Sequence, residues 1–161
     1  MPASAKASRV KRRNRARDTS PELRLRRLLW ADGMRYRLHA SDLPGKPDIV
    51  FPRQRLAIFV DGDFWHGREW TTRRQRLAQG VNGAYWIAKI EYNMRRDGEQ
   101  TALLESCGWR VLRFWESQIL KTPGEILQRV GRELNGHGSR RMGPEQQTVL
   151  KPASRMADKR K

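Results

Sequence analysis

The chain reads as an α/β domain of three layers, a mixed central sheet between helices, carried between two basic arms. Three observations support this. Apolar residues recur at helical spacing in three stretches and form short strand-like runs in four others, in the order helix, strand, strand, strand, helix, strand, helix. The 161 residues give room for one such core. Charge is concentrated at the ends: residues 1–17 hold seven bases and no acid, and 136–161 hold seven bases against two acids. The arms are expected to be disordered, which leaves 18–135 as the folded domain.

Each element has a local cause. Thr19-Ser20-Pro21-Glu22 starts the first helix, with a hydroxyl N-cap, a proline where no N–H is needed, and an acid at the positive helix end. Leu25, Leu28 and Leu29 continue it to Asp32-Gly33. Met34 to His39 suggests a first strand, and the turn-rich stretch from Ser41 to Lys46 leads to Asp48. Strands at 49–51 and 55–60 flank the turn Pro52-Arg53-Gln54. Gly67 to Gly83 has no clean period and is expected to be an exposed loop with at most one helical turn, either lying along phosphates through Arg68, Arg73, Arg74 and Arg76 or simply solvated. Ala84 to Ser106 is the longest helical pattern, with Gly98 a candidate interruption. Trp109 to Trp115 reads as a strand covered on both faces, and Thr122-Pro123 opens a last helix to Leu134.

Composition narrows the function. A formal net charge of +17 points to a polyanion, nucleic acid being the commonest, although a basic surface also keeps a chain soluble. No apolar run approaches membrane-spanning length and no signal peptide is evident, so a soluble intracellular protein is expected. Cys107 is the single cysteine, which excludes an internal disulfide, and its neighbours Leu103, Leu104 and Trp109 suggest a small core residue.

The chemistry gathers around Ala57 to His66. A buried strand there ends in Asp61, Asp63 and His66 beside Phe64 and Trp65, and Asp48 leads the neighbouring strand. Mg²⁺ needs hard oxygen ligands, keeps several waters, and takes one or two carboxylates plus phosphate oxygens. Asp48, with Asp61 or a backbone carbonyl, supplies that minimum, and His66 is the histidine beside these acids. Each has a plainer reading: Asp48 as a turn residue after Pro47, Asp61-Gly62 as a turn, His66 as a loop residue, Glu22 as a capping acid. Lys89, Asn93 and Arg96 share a helix face bordered by Trp86, which suits base reading or plain solvation.

Five blocks together resemble the very short patch repair DNA mismatch endonucleases. They are Pro21-Glu22 with its Leu-rich helix, Leu43-Pro44-Gly45-Lys46-Pro47-Asp48, Phe59-Val60-Asp61-Gly62-x-Phe64-Trp65-His66, Trp86-x-x-Lys89-Ile90-x-x-Asn93-x-x-Arg96-Asp97, and Gly108-Trp109-Arg110-Val111-Leu112-x-x-Trp115-Glu116. The resemblance runs over roughly 10–135, and it implies a restriction-endonuclease-like fold of the PD-(D/E)xK superfamily. It further implies Mg²⁺-dependent nicking of one strand beside a T:G mismatch, with Mn²⁺ as an alternative ion. By this resemblance Asp48 and the Val60 backbone carbonyl bind metal, His66 handles the proton, and Glu22 helps hold the hydrated ion. Phe64, Trp65 and Trp86 match the wedge that enters the base stack, and Lys89 and Asn93 match contacts to the mispaired bases. Unstacking costs roughly a few kcal/mol per step and least where pairing is already poor, which gives a physical source for mismatch preference.

Two positions depart from the family pattern. A second catalytic histidine is replaced by Asp61, which can bind metal or accept a proton but cannot act as an imidazole. The family's zinc positions carry Asp63, Arg68, Trp70 and Ser117 here, which do not make a tetrahedral zinc site, so no structural zinc is expected and packing around Trp70 is expected in its place. The partner implied is double-stranded DNA with a T:G mismatch, acted on by a monomer in a bacterial cytoplasm, with mismatch-repair proteins as candidate associates and no membrane. Two other readings stay open: a nuclease of the same fold with a homing or restriction-type target, and a DNA-binding relative without catalysis.

Overall fold

The structure is a computed structural model that describes residues 18–136. The basic arm 1–17 and the tail from 137 onward, both expected to be disordered, lie outside the described residues. Helix α1 (Ser20–Ala31) is followed by β1 (Arg37–Leu38), β2 (Ile49–Phe51) and β3 (Leu56–Asp61), then α2 (Trp70–Ala78), α3 (Gly83–Ser106), β4 (Arg110–Trp115), α4 (Glu116–Lys121) and α5 (Pro123–Asn135). The sheet order is β1-β2-β3-β4, antiparallel for the first two pairs and parallel for β3 with β4. This is the mixed sheet the pattern predicts.

Side-chain alternation makes the three layers. Ile49, Phe51, Leu56, Ile58, Leu112 and Phe114 face one way and bury Leu25 and Leu29 of α1, Ile119 of α4, and Ile126 and Val130 of α5. Val50, Ala57, Phe59 and Val111 face the other way and cover Leu104 of α3. Burying a leucine or isoleucine contributes roughly 1.5–3 kcal/mol, so both faces hold the sheet.

The same alternation places the polar residues. Asp61 follows Ala57 and Phe59 onto the α3 face, and Arg113 follows Val111. Because β4 runs parallel to β3 and β2 runs against it, the end of β3, the end of β4 and the start of β2 meet at one edge of the sheet. Asp48, Asp61 and Arg113 therefore converge there.

Three local expectations are corrected. The segment 67–83 contains the nine-residue helix α2, which has no buried residue and lies against α3, so no apolar period betrays it. Helix α3 runs unbroken through Gly98, where nothing lies within 4 Å of an added Cβ. Cys107 is exposed: it is the C-cap of α3, and Leu104, not the cysteine, enters the core.

Candidate active site

Asp48 stands at the start of β2, where its backbone N–H donates to the Ile58 carbonyl at 3.0 Å. Its Oδ2 accepts the Val60 backbone N–H at 2.8 Å, which fixes the carboxylate beside the end of β3. Burial, aided by repulsion from Glu22 and Asp61 and opposed by the Val60 hydrogen bond, pushes the Asp48 carboxyl up to about 6. A carboxylate starved of solvent and crowded by other acids is one that a hard dication relieves, so the donor set here fits such an ion. Asp48 and the Val60 carbonyl would hold it. Together with Glu22, Lys46, Asp61 and His66 they line one cleft of about 430 Å³.

His66 is held from the other side. Its Nδ1 is hydrogen-bonded to Asp97 Oδ2 of α3 and lies 3.5 Å from Asp61 Oδ1. Burial works to raise the Asp97 carboxyl, but the His66 hydrogen bond and the Arg113 charge outweigh it and hold the group below its ordinary range. An ionised Asp97 accepts, so Nδ1 carries the proton and Nε2 is left as the basic nitrogen. Gly67, the next residue, has φ +75°, and an added Cβ would overlap the Met94 side chain of α3; only glycine lets the chain turn there.

Asp61, His66 and Asp97 lie close enough together to hold a cation. Arg113 already occupies that role for Asp61. Its Nε donates to Asp61 Oδ2 at 2.7 Å and its Nη2 to Asp61 Oδ1 at 2.8 Å, a bidentate pair that engages both oxygens. Both oxygens of Asp61 are thus charge-paired, which leaves Asp48 the carboxylate of the cleft without a cationic partner at hydrogen-bond distance among the described residues.

Glu22 takes the capping role that its place in the first turn of α1 offers. Its backbone N–H donates to Thr19 Oγ1 at 3.4 Å, and its Oε1 accepts the Thr19 hydroxyl at 3.1 Å, as a capping acid does. It is also buried and opens onto the cleft. Arg26, one turn on, donates to Glu22 Oε2 at 3.1 Å and to Asp18 Oδ1 at 2.7 Å. Its Nη2 also lies 3.1 Å from His39 Nε2. The same imidazole nitrogen lies 3.4 Å from Asp18 Oδ1, and this histidine, remote from the acids in sequence, joins the rim of the same cleft.

The aromatic cluster sits beside the cleft. Phe64 and Trp86 centroids are 5.9 Å apart, Trp65 and Trp86 5.8 Å, and Phe64 and Trp65 5.0 Å, while Trp65 is 39% exposed. Lys89 is exposed on α3. Asn93 is not: it is buried, and its Nδ2 donates to the Trp65 carbonyl at 2.9 Å. The shared face read from spacing is therefore split, and in the free protein Asn93 anchors the aromatic loop to α3 instead of presenting its amide to solvent.

Three of the four positions read as lost zinc ligands are tied by hydrogen bonds. Asp63 Oδ2 accepts from Arg68 Nη1 at 3.0 Å, and Asp63 Oδ1 from the Ser117 backbone N–H at 3.3 Å. The Asp63 backbone N–H donates to Glu116 Oε1 at 3.2 Å. The link from this loop to the first turn of α4 is thus polar, where packing around Trp70 was expected. Sequence reasoning passed over Asp97, Arg113, Arg26 and His39. One signal was present for Arg113, a charge inside a strand whose two faces are both covered.

Comparison with known proteins gives the family. Residues 2–72 match the family model described as DNA mismatch endonuclease Vsr. The chain is 46% identical over 108 residues to the type II nicking enzyme V.NmeDIP of Neisseria meningitidis serogroup C, covering 67% of this chain and 72% of the relative. It is 43% identical to the type II nicking enzyme V.HpaIIP of Haemophilus parainfluenzae, covering 71% and 79%. It is 37% identical to the DNA mismatch endonuclease Vsr of Escherichia coli K12, covering 64% of each. In fold it is similar to the catalytic domain of the homing endonuclease I-Bth0305I, with a TM-score of 0.51 and 20% identity, covering 74% of this chain and 98% of that one. That likeness supports the restriction-endonuclease-like architecture. With relatives this similar over this much of their length, and with the acids and His66 gathered at one edge of such a sheet, the chain belongs to the Vsr family and is a DNA endonuclease.

Proposed function

We propose that this endonuclease nicks one strand beside a T:G mismatch, using Mg²⁺ held by Asp48 and the Val60 carbonyl, with Glu22 steadying the hydrated ion. The observation that carries the reading is the facing pair of devices in one cleft: a cation-seeking Asp48 on one side and a carboxylate-oriented His66 on the other. The ion, when bound, offsets charge on the scissile phosphate and lowers the pKa of a coordinated water. His66 Nε2 takes the proton of the attacking water while Asp97 stabilises the imidazolium that results. Phe64, Trp65 and Trp86 enter the stack where pairing is weakest, Lys89 meets the mispaired bases, and Asn93 reaches them only by releasing the Trp65 carbonyl. Single-strand cleavage is supported by relatives named as nicking enzymes, and the mismatch by the Escherichia coli relative's name.

The test is nicking of labelled duplexes carrying T:G, T:A or C:G at one site, with Mg²⁺, with Mn²⁺ and with chelator. Metal-dependent nicking confined to T:G is expected. Cleavage of matched DNA would instead assign a homing or restriction-type target, and binding without cleavage in either metal would leave a DNA-binding relative.

A further inference from the structure

We propose that Arg113 is a positioning residue that captures both oxygens of Asp61 and so leaves Asp97 as the one carboxylate acting on His66, which keeps the imidazole a proton acceptor. The inference rests on the reading of His66 as the base and adds the device that keeps it one.

Geometry carries it. Two carboxylates reach the same nitrogen, since His66 Nδ1 is bonded to Asp97 Oδ2 and stands 3.5 Å from Asp61 Oδ1. Left to act together, two acids would stabilise the imidazolium, and a histidine already protonated cannot take a proton from water. Arg113 divides them. Its fork engages Asp61 at 2.7 and 2.8 Å, and the same Nη2 lies 3.3 Å from Asp97 Oδ1. Asp97 thus offers Oδ2 to the histidine and Oδ1 to the arginine. The guanidinium is itself pinned: Nη1 lies 3.4 Å from Thr101 Oγ1, and the group sits 4.4 Å over the Phe59 ring. Elements α3, β3 and β4 each contribute one charged member, so the arrangement depends on the fold and not on neighbouring residues.

The other charges facing His66 do not replace Arg113. Arg96 is half exposed and reaches Asp97 Oδ1 at 3.6 Å. Asp48, Glu22, His39 and Lys46 line the rest of the cleft, and Glu105 lies farther along α3 in the adjoining pocket. Asp61 stands where the family resemblance places a second histidine, so this chain has an acid that must be neutralised, and Arg113 is the residue that does it.

The experiment follows the His66 imidazole by heteronuclear NMR over a pH titration of the full chain without metal, its signal identified by loss in His66→Gln. Arg113→Met should raise the titration midpoint by about one unit, and Asp61→Asn with Arg113→Met should return it to the wild-type position. The acid limb of the nicking pH profile on a T:G duplex should move in step with each variant. A midpoint unmoved by Arg113→Met would overturn the proposal. If that variant does not fold, the double variant decides, because it leaves no unpaired charge: a midpoint about one unit from wild type contradicts the account, and a match supports it. The underlying reading fails separately, if His66→Gln nicks like the wild type.

Discussion

At the scale of single residues, the site sets two carboxyls in opposite states. Asp48 is pushed up by burial and by its acid neighbours, whereas Asp97 is held down by His66 and Arg113. A group whose folded pKa exceeds its unfolded value favours the fold while protonated. That benefit is present below pH 4 and is lost as pH rises through about 6. Asp48→Asn, which does not titrate, should therefore match the wild type in stability near pH 4 and exceed it at pH 8 by as much as about 3 kcal/mol, read by urea denaturation without metal. Equal stabilities at pH 8 would remove the crowding argument. Asp97→Asn should keep the fold and lose about 10²- to 10⁴-fold in nicking rate, because an amide orients the imidazole without supporting its charge. Asp48 and His66 stood out in the sequence because each sits in a short motif next to a strand, Asp48 just before β2 and His66 after β3. Asp97 and Arg113 did not, since they meet His66 and Asp61 across 31 and 52 positions of chain.

At the scale of elements, two strong starts were readable and two weak helices were not. The Thr19 cap and the Pro123 start carry their own chemistry, and both helices lie where those residues put them. Helix α2 has no buried side chain, and α4 has only Ile119, so neither shows an apolar period to read. What fixes α2 is tertiary: Arg74 Nε reaches Glu91 of α3 at 3.2 Å, and Arg73 lies 5.4 Å over the Phe64 ring. The aromatic loop depends in the same way on Asn93. Asn93→Leu fills the space but leaves the Trp65 carbonyl unpaired, so it should cost about 1–3 kcal/mol of stability, and tryptophan emission should shift as Trp65 loosens. A variant with unchanged stability and emission would show that the loop is held by its aromatics alone.

At the scale of the whole molecule, the sheet does the gathering. Strands β3 and β4 run the same way and β2 runs against them, so the start of β2 and the ends of β3 and β4 bring Asp48, Asp61 and Arg113 to one edge, and α3 crosses that edge with Asp97. The three-layer class was legible from element order, but the edge at which chemistry collects depended on strand pairing, which spacing alone does not reveal. Charge supplies the long-range term. Deleting residues 1–17, with their seven bases, should weaken binding to matched and mismatched duplexes alike and flatten the dependence of log Kd on log salt. An unchanged slope would mean that the arm does not touch phosphate.

The central claim is that Asp48 serves cleavage and not binding. It is tested most directly by measuring, on one labelled T:G duplex, both the affinity and the Mg²⁺-dependent nicking of Asp48→Asn. The account predicts affinity within about threefold of the wild type in the absence of metal and nicking reduced by at least about 10³-fold. Nicking at the wild-type rate would contradict it and move the ion away from the edge of the sheet where Asp48 and Val60 meet.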